Sequence, residues 1–162
     1  MQIVLYDPRY KQAFIDLNTR WIQEYFFLEK EDIELFSHVD RYIEEGSMIL
    51  FAVENDEVLA TCMATPLTQD HWELQKLATS TNHFNQGIGT LIFKATMQYA
   101  VNQGAKHLSL VSNTRLKNAL HIYEKIGFIK SNQTEFEYDR ADIAYDYWAK
   151  PGEILFDFNQ SN

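Results

Sequence analysis

Between Trp72 and Thr90 the chain changes periodicity across a pair of glycines, and this hand-over constrains the fold more than any other feature. Trp72 to Thr79 alternates as a strand does. From Gly87 to Asn102 the apolar residues Ile88, Leu91, Ile92, Ala95 and Tyr99 recur at helical spacing. Strand, loop and helix must therefore be consecutive parts of one sheet-and-helix layer. Gly87 and Gly89 flank Ile88 at the helix start, and without side chains they let a ligand approach the main chain closely. First-turn amides have no partner within a helix, and with the helix dipole they favour an anion such as a phosphate or pyrophosphate. The alternative is that the glycines only shape a turn. A dinucleotide-binding arrangement fits less well. It needs a glycine fingerprint at the start of its βαβ unit and an acidic residue ending the next strand. Here Val111, Ser112 and Asn113 end that strand.

The remaining pattern supplies partners for this unit. Ile3 to Tyr6 reads as a short strand, and Pro8 suits the first turn of a helix reaching about Phe26. A second helix is expected from Glu31 to Glu45, closed by Gly46. Met48 to Glu54 and Val58 to Thr65 flank Asn55 and Asp56, a turn signal, and read as a hairpin that Trp72 to Thr79 extends. His107 to Val111 reads as a short buried strand. Thr114 to Ile126 reads as a helix with Leu116, Ala119, Leu120 and Tyr123 on one face. Phe128 to Tyr138 and Ala144 to Lys150 are expected as the last two strands. The class is mixed α/β. A chain of 162 residues favours one domain, taken as residues 1–151, with 152–162 a loosely tethered tail.

Charge narrows the partners. Fourteen basic residues face 23 acidic ones, a net charge of -9, without a basic run, so nucleic acid is not an expected ligand. An acidic surface either draws in cationic partners such as amines or only keeps the protein soluble. No apolar run approaches the roughly 20 residues that cross a bilayer, and the first residues lack the layout of a secretory signal. A cytoplasmic protein without membrane contact is expected. The single cysteine, Cys62, fits a reducing compartment, and with no identifiable partner base it reads as a buried strand residue rather than a nucleophile. His38, His71, His83, His107 and His121 show no metal-ligand spacing, so no metal is expected.

Two segments together resemble the GNAT superfamily of acetyl-CoA-dependent N-acetyltransferases. Leu77, Ala78 and Thr79 followed by Phe84, Asn85, Gln86, Gly87, Ile88 and Gly89 are similar to the family's strand end and its Arg/Gln-x-x-Gly-x-Gly/Ala helix start. Asn113, then Asn118 and Ala119, then Tyr123, Gly127 and Phe128 resemble its second motif, in the right order and separated from the first by one helix and one strand. Trp21, Glu29 and Asp32, with Tyr138 to Asp142, look like a bacterial subgroup of unassigned substrate. Phe84 stands where the family has Arg or Gln, Asn85 where Gly is frequent, and Thr79 to Thr81 replace a Val-x-Pro entry. Lys94, Arg115 or Lys117 could supply the missing charge.

The resemblance implies a central, mostly antiparallel sheet of about six or seven strands, splayed between the fourth and fifth and flanked by about four helices. It implies acetyl-CoA as co-substrate, held by Leu77, Ala78, Thr79, Phe84, Asn85, Gln86, Gly87, Ile88, Gly89, Thr90, Asn113, Asn118 and Tyr123. A main-chain amide near Leu77 or Ala78 would polarise the acetyl carbonyl. Glu73 would be the general base and Tyr123 the general acid. Read without the family, Glu73 is a solvated strand carboxylate and Tyr123 a core tyrosine. Trp21, Tyr25, Phe26 and Glu29 would line the pocket of a small-molecule amine, or only pack between helices. Family members are often dimers, so a homodimer is an expectation by analogy. The rival to acetyl transfer is a module that binds acyl-CoA without turnover.

Overall fold

Asn55 and Asp56 both take positive φ, 52° and 64°, the left-handed pair that joins two strands in a tight hairpin. The strands are β2 (Met48–Glu54) and β3 (Glu57–Pro66) of a computed structural model that describes residues 1–83 and 86–160. β1 (Gln2–Leu5) and β4 (His71–Thr79) extend the hairpin on either side, all antiparallel. β5 (His107–Ser112) joins β4 in parallel. Beyond it lie β7 (Ile143–Trp148) and then β6 (Ile129–Lys130), both antiparallel to their neighbours. The strand order is β1-β2-β3-β4-β5-β7-β6, a seven-stranded sheet with one parallel pair.

Strand alternation sends side chains to two faces. Ile49, Phe51, Val53 and Met63 pack against Phe14, Leu35 and Val39, which come from α1 (Lys11–Tyr25), α2 (Lys30–Ser37) and α3 (Val39–Glu44). On the other face Leu50, Ala52, Trp72, Leu74 and Leu108 pack against α4 (Ile88–Asn102) and α5 (Lys117–Ile126). α4 is the central helix, with Ile92, Phe93, Ala95 and Met97 fully enclosed.

Three expectations are corrected. The helix expected over 31–45 is broken at His38 into α2 and α3, which gives five α-helices among the described residues. The His38 amide bonds to the Leu35 carbonyl at 3.1 Å, and the His38 ring takes up the Glu34 carbonyl at 3.0 Å in its place. The strand expected over Phe128–Tyr138 is reduced to Ile129–Lys130. Ser131 Oγ accepts the Gln133 amide, and the Gln133 side chain donates to the Glu135 carbonyl. Such local side-chain bonds compete with a ladder. The segment from Glu153 to Phe158 is docked rather than loose. Leu155, Phe156 and Phe158 pack on the α4 side of the core, and the buried Gln98 accepts the Leu155 amide at 2.7 Å.

The sheet opens where expected. β4 pairs with β5 only from His71–Glu73 to His107–Ser109. Thr61 faces Ala78 and Met63 faces Gln75, so Lys76 and Leu77 together oppose Cys62. Lys76 takes a φ of 57°. A bulge of this kind bends and twists its strand. β4 therefore leaves β5 after Glu73, while β5 stays paired with β7 as far as Ser112.

Candidate active site

The gap between β4 and β5 opens into a cavity of about 820 Å³. One wall is Leu77, Ala78 and Thr79 at the end of β4; the other is Asn113, Asn118 and Tyr123. The first turn of α4, from Gly87 to Thr90, closes one end, and Trp21, Tyr25 and Phe26 close the other from the end of α1. The structure thus gathers nearly all the sequence-predicted residues around one space. Glu29 and Gln86 do not line it. Phe84 and Asn85 lie outside the described residues.

The α4 end suits an anion. Gly87 caps the helix in the left-handed conformation, φ 77°, which a glycine adopts without steric cost. The first-turn amides of a helix have no intrahelical acceptor, and the residues that carry them here line the cavity. A β-carbon on Gly89 would lie 3.3 Å from Thr79 Oγ1 and 3.6 Å from Ile122 Cδ1. Any side chain at this position would therefore crowd Thr79 and Ile122 on the cavity lining. Lys117, His121 and Lys125 line the cavity from successive turns of α5. Neither lysine makes an ion pair among the described residues. Lys94 does not line the cavity, and the Arg115 guanidinium is committed to the Tyr25 carbonyl at 2.9 Å and to the Phe26 ring. Of the three candidate cations, Lys117 is the one that lines the cavity and makes no ion pair among the described residues. Its spacing with His121 and Lys125, four residues apart, was visible in the sequence.

Tyr123 stands on the α5 wall with its ring tilted against Phe93 at 5.1 Å and Tyr145 at 5.9 Å. Its hydroxyl has no hydrogen-bond partner among the described residues. Burial, with smaller contributions from Cys62 and Tyr145, holds its pKa well above the ordinary value of 10.0. It is a neutral, unspent donor facing the cavity. Cys62 is fully enclosed, and burial pushes its thiol up to about 12, so it is no nucleophile at neutral pH.

Glu73 lies at the point where β4 and β5 part. It also borders a second cavity, of about 470 Å³, lined by Glu31, Glu34 and Glu137. Its carboxylate has no hydrogen bond or ion pair among the described residues. Burial and the nearby Glu137 raise its pKa, against the opposing charge of Lys76.

Glu29, expected at the acceptor pocket, has a different task. Its side chain and that of Asp32 form a reciprocal capping box at the start of α2. Its oxygens also accept the amides of Asp139 and Arg140, at 2.7 and 3.2 Å. A charged group nearby does reach the cavity; Lys76 was not singled out in the sequence, and Asp32, Tyr138 and Arg140 only as a subgroup resemblance with no site role. Lys76, Tyr138 and Arg140 line the wall beside Trp21. Asp32 behind them is fully buried, takes two bonds from Arg140 at 2.6 and 2.8 Å, and pairs with Lys76 at 3.1 Å.

A family model described as the acetyltransferase (GNAT) family matches residues 15–128. N-acetyltransferase 8B of Homo sapiens is 28% identical over 101 residues, which is 59% of this chain and 44% of that protein. The chain thus spans less than half the length of this curated relative. Among solved structures, a GNAT-family acetyltransferase from Staphylococcus aureus Mu50 is similar with a TM-score of 0.81 at 18% identity, covering 91% of this chain and 98% of the other. An N-acetyltransferase of Thermoplasma acidophilum in complex with coenzyme A gives a TM-score of 0.71 at 13% identity, covering 92% and 100%.

Proposed function

The chain belongs to the GNAT acetyltransferase family, and from that premise we propose that it moves an acetyl group from acetyl-CoA to a primary amine of a small molecule, amino acid or peptide. The two would be bound together and the amine would attack directly. The observation that carries this reading is the splayed pair of strands. It puts the α4 amides, the bulged end of β4, the Tyr123 hydroxyl and the Glu73 carboxylate around a single cavity.

The residues divide the work. The amides from Gly87 to Thr90 would hold the pyrophosphate, and Lys117 the outer phosphate charge. Asn118 and the main chain of Leu77 to Thr79 would guide the pantetheine arm toward the bulge. Holding amine and thioester side by side supplies much of the acceleration. A bulge leaves a main-chain group of its strand unpaired, and an amide near Leu77 or Ala78 would stabilise the developing oxyanion. The test is CoA release from acetyl-CoA against a panel of primary amines. Binding of acetyl-CoA with no release for any amine would point instead to an acyl-CoA sensor.

An alkyl amine with a pKa of about 10 reaches the site mostly protonated. Glu73 would take that proton, and its raised pKa makes it a stronger base than an ordinary carboxylate. The base must be ionised, so turnover should climb as pH rises through the elevated Glu73 pKa. Glu73→Gln should flatten that climb. The deficit should be greatest between the Glu73 pKa and that of the amine, about 10-fold or more in kcat/KM. Equal pH profiles for the two proteins would return Glu73 to a structural role.

Tyr123 would donate to the sulfur as CoA leaves. Tyr123→Phe removes the hydroxyl and keeps the ring packing on Phe93 and Tyr145. General acid catalysis contributes about 10²- to 10⁴-fold, and a thiolate leaves readily, so a fall in kcat of about 10²-fold or less is expected. Acetyl-CoA affinity should hardly move, because the bond forms as the sulfur departs. Unchanged kcat with chemistry rate-limiting would make Tyr123 a packing residue.

A further inference from the structure

Lys76 is held in a conformation that lysine does not favour. Among the described residues, only Asn55 and Asp56 of the hairpin turn share its positive φ outside glycine. Asparagine and aspartate visit this region readily; a long side chain does so at a steric cost. Backbone of this kind persists only where the surroundings over-determine it. The surroundings here are specific. The Lys76 side chain is 3% exposed, and its Nζ lies 3.1 Å from Asp32 Oδ1. It also donates to Tyr138 Oη at 3.1 Å and lies 4.6 Å from the centre of that ring. Asp32 is in turn gripped by both terminal nitrogens of Arg140, which lies 4.4 Å from the centre of the Tyr138 ring and reaches Glu29.

We infer that this buried group is a positioning clamp for the oxyanion-binding amide. Asp32 anchors Lys76, Lys76 fixes the bulge, and the bulge presents an unpaired amide to the substrate carbonyl. The inference rests on the acetyl-transfer reading for its consequence but not for its structural content. A buried ion cluster is a weak source of stability, because desolvation offsets the attraction. It does confine its members to one arrangement, and here it ties β4 to the start of α2 and to the segment before β7; of these, β4 and the segment before β7 border the cavity. Burial draws the Lys76 ammonium down and the charge of Asp32 opposes this. The Lys76 and Asp32 side chains are enclosed and spent on each other, so in this inference the clamp acts through the bulge, and Asp32, Lys76, Tyr138 and Arg140 are positioning residues.

Removing Asp32 would leave two buried cations short of an anion and could simply unfold the chain. Lys76→Met avoids this, since Asp32 keeps both bonds from Arg140. The substituted side chain fills similar space but cannot hold the bulge. Lys76→Gly removes the anchor and the steric objection to left-handed backbone together. The expected results are a crystal structure of Lys76→Met in which residue 76 has left positive φ, and a kcat lowered about 10²-fold, as when an oxyanion donor is removed. Acetyl-CoA affinity, set largely at the α4 end, should stay within about threefold by calorimetry. Lys76→Gly should recover most of the lost kcat. A Lys76→Met protein that keeps the left-handed bulge overturns the inference, as does a Gly variant no better than the Met one. If the wild type itself releases no CoA with any amine, the acetyl-transfer reading falls, and the crystal structure of Lys76→Met still decides the clamp.

Discussion

Gly89→Gln is expected to abolish acetyl-CoA binding at ordinary concentrations while leaving the fold in place. Gly89 has helical backbone, and glutamine is a better helix former than glycine, so α4 itself loses nothing. The new side chain has little room to retreat. Its β-carbon would already stand 3.3 Å from Thr79 Oγ1 and 3.6 Å from Ile122 Cδ1, and the rest of the glutamine must enter the cavity. That places it over the first-turn amides. A hydrogen bond to a charged group contributes about 1.5 to 3 kcal/mol. Losing two of them to the pyrophosphate costs about 3 to 6 kcal/mol, or about 10²- to 10⁴-fold in Kd. Calorimetry on a variant shown to be folded by circular dichroism is the measurement. Wild-type affinity in that protein would remove the pyrophosphate from the α4 end.

Asp32→Ala should produce the largest loss of stability. The wild-type carboxylate is wholly enclosed, takes two bonds from Arg140, pairs with Lys76 and caps the Glu29 amide at 2.9 Å. Breaking a buried ion pair by removing one partner costs about 3 to 5 kcal/mol, because the other charge stays behind unpaired. For a domain of this size that lowers Tm by roughly 6 to 20 °C. The effect has a defined pH window. Burial pulls the Asp32 pKa upward, but the Arg140 bonds, Lys76 and the Glu29 amide outweigh it and leave it below the ordinary 3.8. A carboxyl depressed in the folded state stabilises above its unfolded pKa, and that contribution disappears as pH falls through the folded value. The gap in Tm between the two proteins should therefore be full at pH 7 and narrow only in acid, below about pH 4. Melting temperatures within 2 °C of each other at pH 7, against the roughly 6 to 20 °C expected, would show that Asp32 is not the keystone of this cluster.

Most of the architecture was legible before any coordinates. The helical spacing from Ile88 onward, the turn at Asn55 and Asp56, and the glycine pair at 87 and 89 each state a local rule that the structure obeys. The two motif segments placed the cavity walls, from Leu77 to Thr79 and at Asn118 and Tyr123, because they name elements that must end side by side. Local rules failed where a competing local rule or a distant contact prevailed. Phe136 and Tyr138 continue a strand-like alternation, yet hydrogen bonds made by the Ser131 and Gln133 side chains take the chain out of the sheet. Glu29 looked like an acceptor contact, and its oxygens are spent on amides 110 and 111 residues away.

Lys76 marks the boundary between the two kinds of information. In the sequence, Trp72 to Thr79 read as a regular strand, an alternation that would put Lys76 on the face of Trp72, Leu74 and Ala78. In the structure a bulge resets the alternation at Lys76 and turns it toward Asp32 and Tyr138, 44 and 62 residues away along the chain. Most elements and their order could be read from the chain alone, since periodicity and turn chemistry depend on neighbours a few positions apart, while the residues bordering the cavity were named by the family resemblance. Which strand bulges, which charges are buried together and which cations line the cavity were settled in three dimensions. Those outcomes depend on desolvation and packing between segments that no local pattern couples.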